Sequence, residues 1–173
     1  MASTLGTQIV KAQSTILAAD TVGNTTTATT FGTSWTMPAN WMNVGRCLQV
    51  TARGYYSTAA ALAGNMTMDL MGGTWVLAST GAQALTVGLG GDGWEMKADV
   101  ICGTTGPAGS VLAQGLCLFE TASITANPVF MVNTTGISLD TTVAQTIVPR
   151  VTWSATGNTI TMGTYVCSVG GLQ

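Results

Sequence analysis

Apolar and polar residues alternate strictly along residues 94–102, the pattern of a β-strand with one buried face and one solvent-exposed face. The predicted buried positions are Trp94, Met96, Ala98, Val100 and Cys102. Glycines and a proline interrupt the pattern at residues 103–109, and such residues favour a turn. A second apolar run follows at residues 111–119. We therefore predict a long pair of strands around which the rest of the chain is arranged.

The second strand of this pair is apolar on both faces, unlike the first. One face carries Val111, Ala113, Cys117 and Phe119, and the other carries Leu112, Leu116 and Leu118. A strand that is apolar on both faces is normally covered on both faces. We expect the first set to face the core and the leucines to face another sheet or another subunit. Because a cyclic oligomer buries one such face per protomer, the leucines favour a homo-oligomer.

A Gly-Gly pair at residues 72–73 separates two further alternating runs and indicates a tight hairpin. If this pair forms the turn, Leu70 lies opposite Trp75 and Met68 lies opposite Leu77. All four side chains would then share the buried face of the hairpin.

The last two predicted strands flank a Gly-Asn pair at residues 157–158, which indicates another hairpin. Its register would place Trp153 opposite Met162. Pro149 has no N–H to donate, so we expect its strand to lie at a sheet edge or to be bulged there. The buried positions change parity after Gly163, and this change predicts a β-bulge at that residue.

About eight or nine such strands, without a long amphipathic helix, predict an all-β antiparallel β-sandwich. We favour a jelly roll, with an immunoglobulin-like sandwich as the alternative. Residues 1–22 are weakly periodic and are predicted to form an extended N-terminal arm, while residues 23–173 form the jelly-roll domain. The arm is expected to dock on a partner, and its apolar contact residues would be Ile9, Val10, Ile16 and Leu17.

The composition is unusually poor in charge, at 7% charged and 46% hydrophobic residues. Ordinary soluble domains carry about 25% charged residues, so much of this surface is expected to be polar and uncharged or buried against partners. A net charge of −2 with five scattered basic residues argues against nucleic-acid binding. The sequence shows neither the apolar run of a membrane span nor the features of a signal peptide, so we expect synthesis in the cytoplasm.

The residue types argue against most enzyme chemistry. The chain has no histidine, which removes Ser-His and Cys-His pairs and histidine metal ligands. Residues 88–93, GLGGDG, match a dinucleotide-binding motif by letter, but a strand follows them where that motif requires a helix. We therefore expect a non-enzymatic protein without metal or cofactor.

Two other groups of residues have structural interpretations. The acidic side chains of Asp92, Glu95 and Asp99 lie near Lys97, so we expect a mixed-charge exposed face in preference to a metal site. The four cysteines lack C-x-x-C spacing and fall in predicted strands, where a free thiol acts as a small apolar group. They are Cys47, Cys102, Cys117 and Cys167.

The aromatic residues suggest a possible contact surface. Four tryptophans fall on predicted inward faces and are assigned to the core, namely Trp35, Trp75, Trp94 and Trp153. Trp41 follows a turn and is kept as a surface contact. A glycan-binding surface would use Trp41 with Tyr55 and Tyr56.

Four segments together resemble a group of tailed-bacteriophage virion proteins. They are NTTTATTFGTSWTMPAN (residues 24–40), VGRCLQVTARGYYST (residues 44–58), LMGGTWVLAST (residues 70–80) and GWEMKADVICGTTGPAGSVLAQG (residues 93–115). The similar proteins are small jelly-roll structural proteins, often trimeric, found as head decoration (cement) proteins or in fibres and tails. The resemblance covers roughly half the chain and rests on turns and buried strand positions.

The resemblance implies a capsid decoration protein on the outer surface of the phage head, bound to the major capsid protein or another virion protein. It also favours a homotrimer, for which we place Leu116 near the three-fold axis. The alternative is a fibre- or tail-associated module that binds a receptor or glycan.

Overall fold

The computed structural model describes residues 8–14, 20–120, 126–133 and 135–170, and within them the fold is all-β with two antiparallel sheets packed against each other. The eight-stranded sheet contains β1 (Gln8–Ser14), β2 (Asp20–Gly23), β5 (Cys47–Ser57), β9 (Gly90–Thr104), β10 (Ser110–Glu120), β11 (Ala126–Val132), β12 (Ile137–Ser138) and β14 (Thr159–Gly170). The six-stranded sheet contains β3 (Thr29–Thr30), β4 (Trp35–Met37), β6 (Asn65–Gly72), β7 (Trp75–Ser79), β8 (Gln83–Ala84) and β13 (Gln145–Trp153). The predicted β-sandwich is confirmed.

The strand order is that of a jelly roll with an extension. The larger sheet runs β1-β14-β5-β9-β10-β11, and the smaller runs β3-β13-β6-β7. The chain changes sheet between β2 and β3, β4 and β5, β5 and β6, and β8 and β9, and again on both sides of β13. Such alternation between two sheets builds the paired Greek keys of a jelly roll. Strands β10, β11 and β12 extend the larger sheet beyond the strands of a jelly roll.

The hairpin predicted from residues 94–119 is confirmed. Strands β9 and β10 pair from Cys102 opposite Val111 to Trp94 opposite Phe119. The predicted inward side chains of both strands are buried. They pack into the core between the sheets, where each large apolar side chain contributes roughly 1.5–3 kcal/mol.

The β6–β7 hairpin has a different register from the predicted one. Gly72 lies opposite Trp75 and Leu70 opposite Ala78, with a register shift between Leu70 and Met71. The turn is made by Gly73 and Thr74 because Gly73 takes the left-handed conformation, with φ of 59°. The partner of Trp75 is thus Gly72 and not Leu70, a shift of two residues that keeps Trp75 on the same face but places it beside the turn. There it is 50% exposed, and its assignment to the core is wrong.

The predicted hairpin between the last two strands is also wrong. Strands β13 and β14 lie in different sheets, and the Gly-Asn pair at residues 157–158 lies on the crossover between them. The Asn158 side chain is fully buried and holds this crossover in place. Its oxygen accepts a hydrogen bond from Ala59 N, and its nitrogen donates to Ala63 O and Ala155 O.

Pro149 lies inside the smaller sheet, opposite Leu70 and in unbroken register with β6, so it is neither at a sheet edge nor at a bulge in that pairing, the two positions predicted for it. Its carbonyl accepts a hydrogen bond from Phe31 N at 3.1 Å. The N–H and C=O of one strand residue point to the same side, so the missing N–H faces the β3–β4 side of the strand. Neither β3 nor β4 pairs with Pro149, so the sheet accommodates the proline there.

The two N-terminal strands run along one edge of β14, on either side of Gly163. β2 pairs with residues 159–162 and β1 with residues 164–169, and the bulge predicted at Gly163 is present. Val22 is buried in the core, so the predicted boundary after this residue falls within β2. Of the predicted arm contacts, Ile9 and Val10 lie in β1, and Ile16 and Leu17 lie outside the described residues. Their role as contacts stays a prediction.

Candidate functional site on the outer face of the eight-stranded sheet

The outward side chains of the larger sheet form rows across its strands. In one row Phe130, Leu116, Lys97 and Thr51 are cross-strand neighbours from β11 to β5. The next row joins Val132, Gln114, Asp99, Gln49 and Ser168 from β11 to β14. The side chains near β11 are apolar, and those over the central strands are polar.

The three leucines predicted on this face do point away from the core. Leu112 is 50% exposed, whereas Leu116 and Leu118 are partly buried by their neighbours in the sheet. The opposing sheet packs on the inner face, so it is not what covers them. Their role in contact with another subunit stays a prediction.

A groove crosses this face between β11 and the central strands, with a volume of about 610 Å³. We call it the Phe130 groove; its apolar wall consists of Leu116, Phe130 and Val132. Gly115 lies at its base, where a Cβ atom would collide with the backbone oxygen of Lys97. The absence of a side chain at Gly115 thus lets β10 approach β9 closely at this point.

The polar side of the Phe130 groove is rich in side chains with unused hydrogen-bonding capacity. Gln49, Thr51, Gln114 and Ser168 line it, and none of their side chains bonds to another described residue. Asp99 accepts only a long contact from the Cys47 thiol, at 3.9 Å. Donors and acceptors from four strands are therefore available to a molecule in the groove.

Charge along the groove is balanced by an ion-paired cluster. Lys97 Nζ lies 2.6 Å and Arg53 Nη2 lies 3.0 Å from Glu95 Oε1. Partial burial raises the pKa of Glu95, but the hydrogen bonds from Lys97 and Arg53 outweigh it and hold the pKa below its usual value. The mixed-charge face expected from the sequence is present. Among the described residues, no three His, Cys, Asp or Glu side chains are placed to hold a metal ion.

The cysteines on the larger sheet behave as apolar side chains. Cys102 and Cys117 are buried, and burial raises the pKa of both thiols. Cys47 is partly buried. Burial is the main cause of its raised pKa, and the negative charge of the Asp99 carboxylate raises the pKa further. A thiol with a raised pKa is a poor nucleophile at neutral pH.

The aromatic residues proposed as surface contacts occupy different environments. Trp41 is partly buried, with its ring edge-on to Trp35 at 5.0 Å and the Arg46 guanidinium 4.9 Å from its centroid. Tyr56 is fully buried, so its assignment to an exposed surface is wrong. Tyr55 is about half exposed on the outer face of β5. A smaller groove lies beside its cross-strand neighbour Gly93.

The sequence pattern identified Leu112 at one corner of this face but not the other exposed apolar residues there. Leu112 and Ile101 are cross-strand neighbours there. Val44 lies nearby, because the residues after it, Gly45 and Arg46, form backbone hydrogen bonds with Cys102. Val132 belongs both to this corner and to the wall of the groove. We call Val44, Ile101, Leu112 and Val132 the apolar corner; all four are substantially exposed. Residues 129–132 are all apolar, so no alternation in the sequence distinguished the outward-facing Phe130 and Val132 from the buried Met131.

Comparisons with protein-family models, with curated proteins and with solved structures gave no match. The described residues also contain no helix that could cross a membrane.

Proposed function

We propose that the chain is a non-enzymatic structural protein of a bacteriophage virion, and specifically a decoration (cement) protein on the outer surface of the head. It assembles as a homotrimer and binds the major capsid protein. The observation that carries this proposal is the apolar corner of a charge-poor β-sandwich. The setting in a phage particle rests on the resemblance of the four segments described above.

The apolar corner is suited to contact between copies of the chain. Large apolar side chains clustered on a surface mark interaction sites, whereas single ones are ordinary. Burying each contributes roughly 1.5–3 kcal/mol, against a cost of about 4–15 kcal/mol for lost rigid-body freedom. The corner therefore needs adjoining surface to form a stable contact. Because Leu112 is exposed whereas Leu116 is partly buried in the wall of the Phe130 groove, Leu112 lies closest to the axis of the proposed trimer.

The function of such a trimer is mechanical. A decoration protein bridges neighbouring capsid subunits and resists expansion of the shell under internal pressure. Specific interfaces bury on the order of 1,000 Å² or more, which one face of the sandwich can provide. Few charges favour this role, because desolvating charged groups opposes tight packing.

The oligomeric state is tested with a matched pair of leucine variants. Leu112→Asp places a charge in the apolar corner and should convert the trimer to monomers in light scattering at micromolar concentration. Leu62→Asp is the control, because Leu62 is 65% exposed in the loop between β5 and β6. A monomeric wild-type protein, or a Leu112→Asp variant that stays trimeric, would show that the corner is not the trimer contact.

The location is tested on purified particles. A copy number that matches the symmetry of the head shell supports the decoration role. Labelled protein found only on the tail would contradict it, whatever the oligomeric state in solution.

A further inference from the structure

We propose that the Phe130 groove binds an uncharged oligosaccharide. The inference goes beyond the virion role and does not depend on it. It rests on the chemistry of the groove and on the way four strands bring that chemistry together.

The polar side of the groove offers the hydrogen bonds that a saccharide needs. Each hydroxyl of a sugar both donates and accepts, so it is best matched by groups that also do both. The amides of Gln49 and Gln114 and the hydroxyls of Thr51 and Ser168 have this property. Their side chains form no hydrogen bonds to other described residues, so binding would break no protein bond.

The apolar wall offers a surface for the C–H face of a sugar ring. Phe130 is 75% exposed on β11, and its cross-strand neighbour Leu116 continues the wall toward the floor. Ligand sites usually combine such apolar surface with a few polar groups that fix orientation. The groove volume of about 610 Å³ lies within the range of about 300–1,000 Å³ for these sites.

The balance of charge selects a neutral ligand. Lys97 and Asp99 are the two charged side chains among the residues that line the groove, and their charges cancel. Glu95 pairs with both Lys97 and Arg53, so together with Asp99 the groove and its border hold two positive and two negative side chains. A phosphorylated or cationic ligand would find no net opposite charge, whereas an uncharged saccharide requires none.

The width of the polar row suggests more than one sugar ring. Gln114, Asp99, Gln49 and Ser168 come from four adjacent strands. At about 4.8 Å between strands, the row spans roughly 14 Å. That length exceeds a single pyranose ring and fits a short oligosaccharide.

The test is NMR titration of the ¹⁵N-labelled full chain with three uncharged trisaccharides, maltotriose, cellotriose and triacetylchitotriose, each up to tens of millimolar. At least one should shift the side-chain amide signals of Gln49 and Gln114. Phe130→Ala and Gln114→Ala should each weaken its binding at least tenfold. Trp75→Ala is the control, because Trp75 is half exposed on the other sheet, and it should bind as the wild type does.

Light scattering on the same samples separates this inference from the trimer proposal. Loss of binding by a variant that keeps the wild-type oligomeric state supports the saccharide site. Absence of shifts with all three trisaccharides would overturn it. Unchanged affinity in both groove variants would also overturn it. So would a titration in which an extended uncharged peptide shifts these signals and none of the trisaccharides does.

Discussion

Arg150 donates two hydrogen bonds to a single carboxylate oxygen of Asp69, directly across β13 and β6. Its Nε and Nη2 atoms lie 3.0 Å and 2.6 Å from Asp69 Oδ2. Asp69 is almost fully buried, although it lies on the outer face of the smaller sheet, and the Arg150 side chain is about a quarter exposed. A charged group so placed depends on its partner, because its own hydration has been lost.

Replacing Arg150 by methionine should destabilise the fold by about 2 kcal/mol, between the values typical of exposed and of fully buried pairs. The reason is that Asp69 would remain buried without its cation. Urea denaturation measures the change in the free energy of unfolding. The double variant Asp69→Leu/Arg150→Met should be more stable than Arg150→Met alone, since Met71 and Val148 provide buried apolar neighbours. A double variant less stable than the single one would contradict this explanation.

The two most buried tryptophans differ in their hydrogen bonding. Trp94 Nε1 donates to Thr161 O at 3.1 Å, whereas Trp153 Nε1 is buried without a hydrogen-bond partner among the described residues. Replacing each tryptophan by benzothienylalanine exchanges the indole N–H for sulfur and nearly preserves shape. We expect a loss of about 1 kcal/mol at Trp94 and little loss or a gain at Trp153.

Thermal and urea unfolding of the two variants would be compared with the wild type. The comparison isolates the hydrogen bond because both rings remain in the core. Equal losses at the two positions would mean that the Trp94 bond contributes nothing measurable.

The raised pKa of the Tyr56 hydroxyl predicts that the free energy of unfolding falls in alkaline solution. Burial, with smaller effects of Asp92 and Glu120, raises its pKa from 10.0 to about 12. Its hydroxyl donates to Glu120 O at 2.6 Å, which favours the protonated form. Since the folded pKa exceeds the unfolded value, this stabilisation is complete below pH 10 and disappears as the pH rises toward 12.

The matched variant is Tyr56→Phe, which lacks the titrating group. Urea midpoints measured from pH 8 to 12 should fall less steeply for the variant than for the wild type. Tyr165 is also buried, and burial raises its pKa, so part of the alkaline decline should remain in Tyr56→Phe. Identical slopes for the two proteins would contradict the contribution of Tyr56.

The parts of the fold that could be predicted are those that local pattern determines. Strict alternation over residues 94–102, a marked turn and a second apolar run at residues 111–119 were sufficient for the β9–β10 pair. The bulge at Gly163 was likewise visible as a change of parity. Errors arose where two local solutions look alike: either glycine of the pair at residues 72–73 can take the left-handed conformation, and the choice sets the register of the hairpin.

The sheet to which a strand belongs depends on distant residues and could not be read from the pattern. A Gly-Asn pair suits a hairpin, but the partners of Asn158 at Ala59 and Ala63 hold a crossover instead. The groove was missed for the same reason. Its polar side chains come from β5, β9, β10 and β14, and only the assembled sheet brings them beside Phe130.

The place of β14 between the N-terminal strands and β5 also bears on how the chain is made. β1 and β2 pair with no described strand except β14, which is the last of the described strands to be synthesised. A nascent chain therefore carries β1 and β2 unpaired until β14 has been synthesised. Such non-local pairing makes folding slow and leaves strand edges open to wrong partners. The need for chaperones should accordingly persist until β14 has left the ribosome.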